Sequence, residues 1–319
     1  MFFSGISHTQ VPTESRPGHV ALLAGFYEDP SAITKGWSEN PVEFDSVLNR
    51  SRNSWSWGSP DILNMFNKDN LKDNINIHTY GAELEDFSSK DSSYLDTWVF
   101  HRVEEFFLKA VSNNEVKSKL NQKGNIFFLH LLGCDTNGHT NKPESYEYKQ
   151  NIKVVDNGIK HTVDLIEDYF QNDNKTVFIF TADHGMTNWG SHGTGMDDET
   201  LTPFVAWGAG VKTLRHHLTN TEIYSLLRDF DEFSGSLYKV DLAQADITPL
   251  ISILLGNNIP TNSVGMMPYT LLDLHPKQLS QALKIQLDHL LAQYTKLLQD
   301  HESFYLPQIF HQSFPDMTR

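Results

Sequence analysis

Two pairs of metal-binding side chains follow two predicted strands in the middle of the chain. Asp135 and His139 come just after the apolar run 125–132, and Asp183 and His184 come just after the apolar run 176–181. Ligands of open α/β sheets bind outside the carboxyl ends of the strands, so both pairs stand where a ligand site is expected. A mixture of carboxylates and imidazoles suits Zn²⁺, which accepts nitrogen and oxygen ligands and can keep a position open for substrate.

A fifth candidate ligand, His192, lies in the short segment Gly190-Ser191-His192-Gly193. Taken alone, an Asp-x-x-x-His or Asp-His-Gly motif is more often a cap or a solvated turn than a metal site. Both motifs here follow strands of one predicted β-α-β unit, and His192 comes soon after the second. That combination favours a metal site over the structural alternative. The sequence leaves open whether the metal is zinc or manganese.

A segment near the start, Val11-Pro-Thr-Glu-Ser-Arg-Pro-Gly-His19, carries the hydroxyls of Thr13 and Ser15 just before a helix-like apolar run, 20–26. A hydroxyl at this point can be a plain helix N-cap. It can also be a nucleophile, because a helix N-terminus favours an anion such as phosphate. A hydroxyl bound to Zn²⁺ loses its proton near neutral pH, so it would need no neighbouring base.

The elements that must position these residues are those of an α/β protein with a mostly parallel sheet flanked by helices. Apolar runs predict buried parallel strands at 125–132, 176–181 and 203–207. Helical spacing predicts helices at 94–111, 144–170 and 277 to about 301. We interpret residues 1–319 as a single catalytic domain with an irregular insertion around 36–75.

Composition excludes several classes of function. The chain has 25 basic and 40 acidic residues, a net charge of −15, which argues against a nucleic-acid partner. Its single cysteine, Cys134, excludes an internal disulfide framework. It contains no apolar run of transmembrane length and no signal peptide. Asn49 and Asn174 begin sequons that could accept glycans in a secretory compartment.

Several longer motifs support a family resemblance. They are Val11–His19, Asn40-Pro-Val-Glu-Phe-Asp45, Leu131-Leu-Gly-Cys-Asp-Thr-Asn-Gly-His139, Ala182-Asp-His-Gly-Met186, Gly190–Gly193, Gln244-Ala-Asp-Ile-Thr-Pro249 and Leu254-Leu-Gly-Asn-Asn-Ile-Pro260. Together they resemble the two-zinc alkaline phosphatase superfamily and, within it, the GPI ethanolamine phosphate transferases. The resemblance implies an alkaline-phosphatase-like α/β fold.

The resemblance also implies a role for each candidate residue. Asp135, His139 and His192 would hold one zinc, and Asp183 and His184 would hold the other together with the nucleophile. Ser15 occupies the nucleophile's position, with Thr13 as the alternative. The implied reaction transfers phosphoethanolamine from phosphatidylethanolamine, through a covalent enzyme intermediate, to the first mannose of a GPI-anchor precursor.

One ligand of the resembled family has no counterpart here. Those proteins have a further zinc-binding aspartate on the first strand of the sheet, and the only acidic residue before Ser15 is Glu14. We therefore expect the first strand to be missing and the second zinc site to be incomplete. The chain would be an N-terminally truncated lumenal domain of an endoplasmic reticulum membrane protein, and its membrane segments would be absent.

Two other functions stay open. The first is a soluble phosphodiesterase, phosphatase or sulfatase of the same superfamily, with water as the acceptor. The second is a catalytically inactive product that binds lipid head groups or a partner protein.

Overall fold

The computed structural model describes residues 3–29, 44–67, 72–81, 91–212 and 239–304. The strands are β1 (Phe3–His8), β2 (Asn53–Gly58), β3 (Ile75–Thr79), β4 (Asn125–Leu129), β5 (Val177–Thr181), β6 (Leu201–Gly208) and β7 (Lys239–Ala243). The helices are α1 (Ser15–Ala24), α2 (Val47–Arg50), α3 (Pro60–Leu63), α4 (Ser93–Ser112), α5 (Asn114–Leu120), α6 (Gly133–Asn141), α7 (Tyr146–Tyr169), α8 (Asp197–Thr200), α9 (Ile247–Leu255) and α10 (Pro276–Phe304). Short 3₁₀ turns cover Asn64–Phe66, Gln244–Asp246 and Tyr269–Leu271.

The strands form two sheets, with the orders β5-β6-β1-β7 and β3-β2-β4. Of the five pairings among the described residues, three are parallel: β1 with β7, β2 with β3, and β2 with β4. The predicted α/β class with a mostly parallel sheet and flanking helices is therefore confirmed.

Two details of the predicted sheet are wrong. β6, expected at 203–207 as a parallel strand, runs antiparallel to both β1 and β5. β4 and β5, expected to share one parallel sheet through a β-α-β unit, belong to different sheets. Apolar runs indicate that a strand is buried, but they carry no information on which strand it pairs with or in which direction.

The irregular insertion expected around 36–75 is also wrong for the part that the structure describes, 44–67 and 72–75. This region contains β2, the central strand of the three-stranded sheet, in which all six residues are buried. In its sequence, Asn-Ser-Trp-Ser-Trp-Gly, serine alternates with tryptophan. Side chains alternate between the two faces of a strand. The small serines therefore let one face pack closely while Trp55 and Trp57 fill the other.

Two hydrophobic clusters form the core. Trp55 and Trp57 of β2 pack against α4 through residues such as Val99, Val103 and Phe107. The apolar residues recur every three or four positions along α4, which gives that helix a single buried face. Both α4 and α7 match the helices predicted at 94–111 and 144–170.

The second cluster joins the inner faces of α1, α9 and the four-stranded sheet. Leu22 and Leu23 of α1 meet Phe204 of β6, Leu250 of α9 and Ala282 of α10 there. The predicted C-terminal helix is confirmed as α10, which begins one residue earlier and extends three residues further than expected. None of the helices in the described ranges is long and apolar enough to cross a membrane.

Candidate active site

Helix α6 carries Asp135 and His139. The helix starts at Gly133, four residues after β4 ends. Residues four apart lie on the same face of a helix, so the Asp-x-x-x-His spacing turns both side chains to one side. The helix start is anchored by Asp96 of α4, whose Oδ1 accepts a hydrogen bond of 2.8 Å from the backbone N–H of Gly133.

Asp96 is itself an unusual group. Its side chain is fully buried, and its Oδ2 accepts a hydrogen bond of 2.8 Å from Nδ2 of Asn151 in α7. Burial raises the pKa of Asp96 to about 6, although the hydrogen bonds from Gly133 and Asn151 act in the opposite direction. Asp96 thus links α4, α6 and α7 through one carboxylate close to the candidate ligands.

The second pair, Asp183 and His184, follows β5 directly. The carbonyl oxygen of Asp183 accepts hydrogen bonds from Thr9 Oγ1, at 2.9 Å, and from Gln244 Nε2, at 2.6 Å. Helix α1 approaches this point closely because Gly18 has no side chain: a Cβ on Gly18 would lie 2.9 Å from Cβ of Asp183. The end of β5 is therefore fixed from three directions, by β1, α1 and the turn before α9.

His192 lies on the segment before α8 and is held by the N-terminal motif. Its Nδ1 is 2.7 Å from the carbonyl oxygen of Thr13. The neighbouring N–H of Gly193 donates to Thr13 Oγ1 at 2.8 Å. Gly193 has a φ of 109°, a conformation that favours glycine. Two motifs more than 170 residues apart in sequence are thereby locked together.

Three of the candidate ligands share one hydrogen-bonding arrangement. The Nδ1 atoms of His139, His184 and His192 face the carbonyl oxygens of Gly190 at 3.0 Å, Gly185 at 2.9 Å and Thr13 at 2.7 Å. A carbonyl oxygen only accepts hydrogen bonds, so each Nδ1 carries the proton. In the neutral ring the lone pair is then on Nε2, as in metal-binding histidines whose other nitrogen is held by a backbone carbonyl.

The Nε2 atoms of His139 and His192 meet around Asp135. His139 Nε2 lies 3.0 Å from His192 Nε2, and the two atoms lie 3.5 Å from Asp135 Oδ2 and Oδ1. Asp135 Oδ1 is buried and has no hydrogen-bond partner among the described residues. Lone pairs and a carboxylate oxygen that face one another without donors between them form a site for a cation. The donor set fits zinc.

The structure groups these ligands differently from the two sets implied by the resemblance. Within the described residues, ligand atoms of Asp135, His184 and His192 all lie within 4.8 Å of one another. The His184 and His192 rings stack with their centroids 4.0 Å apart, so His184 adjoins the first set as well as Asp183. The five predicted ligands form one continuous cluster, and their division between two zinc sites stays a prediction.

Charge within the cluster is balanced by its own histidines. In the protonated ring, a hydrogen bond to Asp135 would stabilise the added charge, and this raises the pKa of His139, although burial acts against it. Burial would lower the pKa of His184, but the Asp183 carboxylate and the Gly185 carbonyl raise it above its ordinary value. Burial would raise the pKa of Asp183, yet the charges of His184 and His19 hold it below the usual range. The Asp183 carboxylate is thus ionised, as a metal ligand must be.

The two candidate nucleophiles have different surroundings. Ser15 is the first residue of α1, and Glu14 supplies no side-chain cap to this N-terminus. The Oγ atom of Ser15 lies 3.2 Å from His184 Nε2. Thr13 is fully buried; its hydroxyl accepts from Gly193 N–H and faces the oxygens of Glu199 and Thr194. Ser15 therefore combines a half-buried hydroxyl with a position beside the cluster, whereas the Thr13 hydroxyl joins segments of the chain.

The sequence alone assigned no role to Glu199, which holds the Thr13 and Thr194 segments together next to the site. This fully buried carboxylate accepts hydrogen bonds from the Thr13 hydroxyl and from both the N–H and the hydroxyl of Thr194. Burial opposes its ionisation, but the hydrogen bond from Thr13 and those from Thr194 lower its pKa. In the sequence Glu199 is one acid in an acidic stretch, so only the fold distinguishes it.

Comparisons with known proteins agree with the motifs. Residues 5–203 match a family model described as type I phosphodiesterase / nucleotide pyrophosphatase. The chain is 53% identical over 264 residues to the GPI ethanolamine phosphate transferase 1 of Homo sapiens, a stretch that covers 83% of this chain and 28% of that protein. It is 50% identical over 293 residues to the protein of the same name from Emericella nidulans, a stretch that covers 91% of this chain and 31% of that protein. The chain therefore spans less than a third of the length of these two curated relatives.

Among solved structures, a protein in the alkaline phosphatase superfamily from Vibrio parahaemolyticus aligns with a TM-score of 0.48 and 13% identity. The alignment covers 81% of this chain and 59% of that one.

Proposed function

This chain belongs to the type I phosphodiesterase / nucleotide pyrophosphatase family, and we propose that it is a catalytic domain that transfers phosphoethanolamine through a covalent intermediate on Ser15. The observation that carries the proposal is the position of Ser15 Oγ, 3.2 Å from His184 Nε2 and at the N-terminus of a helix that has no side-chain cap. The names of the relatives supply the group that is transferred.

In the first step, Ser15 Oγ attacks the phosphorus of a phosphodiester. The bond from phosphorus to the diacylglycerol oxygen breaks, and diacylglycerol leaves with a proton. In the second step, an acceptor hydroxyl attacks the phosphorus of the Ser15 ester, and Ser15 regains its proton as it departs. The first turn of a helix carries unsatisfied N–H groups and the positive end of the helix dipole. The N-terminus of α1 therefore stabilises the charge on the phosphoryl oxygens.

We propose that zinc is the metal held by Asp135, His139, His192, Asp183 and His184. Zinc bound there would lower the pKa of the Ser15 hydroxyl and offset negative charge in the transition state. The protein's contribution is to fix the donors. The three backbone carbonyls that hold Nδ1 of His139, His184 and His192 keep each Nε2 turned to the cluster. This arrangement supports a preformed site.

For the finer steps we propose phosphatidylethanolamine as the donor and the first mannose of a GPI-anchor precursor as the acceptor. The setting would be the endoplasmic reticulum membrane, with this domain in the lumen. Of the two sequons, Asn174 is exposed, whereas the amide of Asn49 is bound to Asp45 and Ser46. We expect any glycan to be at Asn174.

The test is to trap the intermediate. The chain is loaded with zinc, incubated with phosphatidylethanolamine in detergent, quenched in acid and mapped by mass spectrometry. We expect phosphoethanolamine on the peptide that contains Ser15 and no label in Ser15→Ala. A matched control, Ser112→Ala at the end of α4, should label like the wild type. No label in the zinc-loaded wild type, or equal labelling of Ser15→Ala, would refute the proposal.

The second candidate is a phosphodiesterase with water as the acceptor, which the description of the family model favours. Both candidates form the Ser15 intermediate, so the acceptor separates them. Turnover of the labelled enzyme is followed with and without a mannosylated acceptor. Decay that depends on the acceptor supports the transferase, whereas decay that water alone accounts for supports the phosphodiesterase. A protein that binds zinc but neither labels nor hydrolyses would be the non-catalytic binding product.

A further inference from the structure

His19 occupies a place that neither the metal ligands nor the nucleophile explains. It lies on α1, four residues after Ser15, and its side chain is 5% exposed. Residues four apart share one helix face, so the side chains of His19 and Ser15 lie on the same face of α1. Its ring meets Phe128 of β4 at a centroid distance of 5.9 Å and His130, just after β4, at 4.7 Å.

One nitrogen of His19 faces two acceptors that belong to the candidate site. Its Nδ1 is 2.7 Å from the carbonyl oxygen of Ser15 and 3.3 Å from Oδ2 of Asp183. A carbonyl oxygen cannot donate, so Nδ1 carries the hydrogen and donates it to the Ser15 carbonyl, while Asp183 Oδ2 lies within ion-pair distance of the same nitrogen. The contact therefore connects the residue that bears the nucleophile with a candidate metal ligand.

The surroundings leave the His19 ring little freedom. Phe128 and His130 meet it edge to face. His130 is in turn fixed by the backbone N–H of Ser59, which lies 3.4 Å from its Nδ1. Burial lowers the pKa of His130 to about 3, so His130 is neutral.

We propose that His19 is a positioning residue, which sets the separation between Ser15 and Asp183 by placing one ring nitrogen against both of them. The inference rests on the proposed function, because it assigns Asp183 to the metal and Ser15 to the phosphoryl group. Loss of this nitrogen releases one oxygen of Asp183 and the carbonyl at the first residue of α1. Both changes disturb the side of the cluster that Asp183 and His184 form. Asp135, His139 and His192 keep all their own contacts.

The test compares two replacements of His19. In His19→Asn the amide nitrogen takes the place of Nδ1 and can donate to the same acceptors, whereas His19→Leu fills the space without a donor. Zinc alone is titrated into each metal-free protein by calorimetry, and thermal unfolding is recorded. His161→Leu, at an exposed histidine of α7, is the control. We expect one class of zinc site to weaken about 10- to 100-fold in His19→Leu, with most of the affinity restored in His19→Asn and no change in the control.

A double-mutant cycle between His19→Leu and Asp183→Asn provides a readout that needs no metal. We expect the pair to change the unfolding equilibrium constant by less than the product of the single changes, because both remove the same contact. If His19→Leu does not fold, the comparison of wild type with His19→Asn decides the question. Wild-type zinc affinity in His19→Leu, or His19→Asn as impaired as a folded His19→Leu, would overturn the positioning role alone. If the double-mutant cycle shows coupling between His19 and Asp183 but the wild-type protein binds no zinc, both the proposed function and the positioning role are refuted.

Discussion

Replacing Glu199 tests whether the Thr13 segment and the His192 segment are held together as the structure shows. Glu199→Ala removes an acceptor that three donors share: the Thr13 hydroxyl, the Thr194 N–H and the Thr194 hydroxyl. The Thr13 hydroxyl can still turn to the carbonyl of Thr194, 2.8 Å away. The two donors of Thr194 lose their partner inside the protein.

The size of the effect follows from these contacts. Thr194 is exposed, so its two donors can turn to water. Each lost hydrogen bond then costs its net value of about 0.5–1.5 kcal/mol, which predicts a loss of about 1–3 kcal/mol in the free energy of unfolding. Glu199→Gln keeps one oxygen for Thr13 and the Thr194 N–H, and its amide nitrogen can donate to the Thr194 hydroxyl. We therefore expect Glu199→Gln to cost only about 1 kcal/mol, from the loss of the charge on the acceptor.

Urea unfolding of the metal-free chain at pH 7 measures both changes, and zinc titration of the folded variants measures the consequence for the site. Thr13 also holds Nδ1 of His192 through its carbonyl, so zinc affinity should fall with stability in Glu199→Ala and stay close to wild type in Glu199→Gln. A Glu199→Ala protein as stable as Glu199→Gln, or one that binds zinc normally, would refute the reasoning.

Three further predictions concern single residues around the site. The pKa of Asp96 rises from 3.8 to about 6 on folding, so the folded state binds this proton more tightly. The free energy of unfolding therefore falls as pH rises between these two values. Asp96→Asn should remove about 3 kcal/mol of that fall, as measured by urea unfolding from pH 4 to 7. Asp135 raises the pKa of His139, so Asp135→Asn should lower the pKa of His139 in the metal-free protein, as followed by NMR, and an unchanged value would contradict the contact. Thr13→Val should lose about 1–3 kcal/mol of stability, whereas Ser15→Ala should stay within about 0.5 kcal/mol of wild type and lose the covalent intermediate. If Ser15→Ala lost the stability and Thr13→Val lost the intermediate, Thr13 would be the nucleophile and Ser15 the structural residue.

Local elements and ligand types could be predicted from the sequence because they depend on nearby residues. The spacing of apolar residues identified α4, α7 and α10, and the motif around Asp135 and His139 put two possible ligands on one face of what proved to be a helix. β2 was missed because its serines and asparagine are typical of loops, although all six of its residues are buried. The antiparallel direction of β6 could not be predicted, since pairing direction depends on residues far away in the chain.

The residues that hold the candidate ligands in place could not be predicted from the sequence either. Glu199, Asp96 and Gln244 act through contacts with residues distant in sequence, and each looks like an ordinary polar residue in its own segment. His19 had one local signal, because its spacing of four from Ser15 places both on one face of a helix. That signal gains meaning only when the fold brings Asp183 to the same face.

The central claim is that the Nε2 atoms of His139, His184 and His192 meet at Asp135 to hold a metal beside Ser15. The most direct test is a crystal structure of the zinc-loaded chain with anomalous data at the zinc edge. The account predicts an anomalous peak about 2.0–2.1 Å from Nε2 of His192, bounded by Asp135 and close to Ser15 Oγ. Zinc bound elsewhere, or bound through Nδ1 after the histidines had left their backbone carbonyls, would contradict the account.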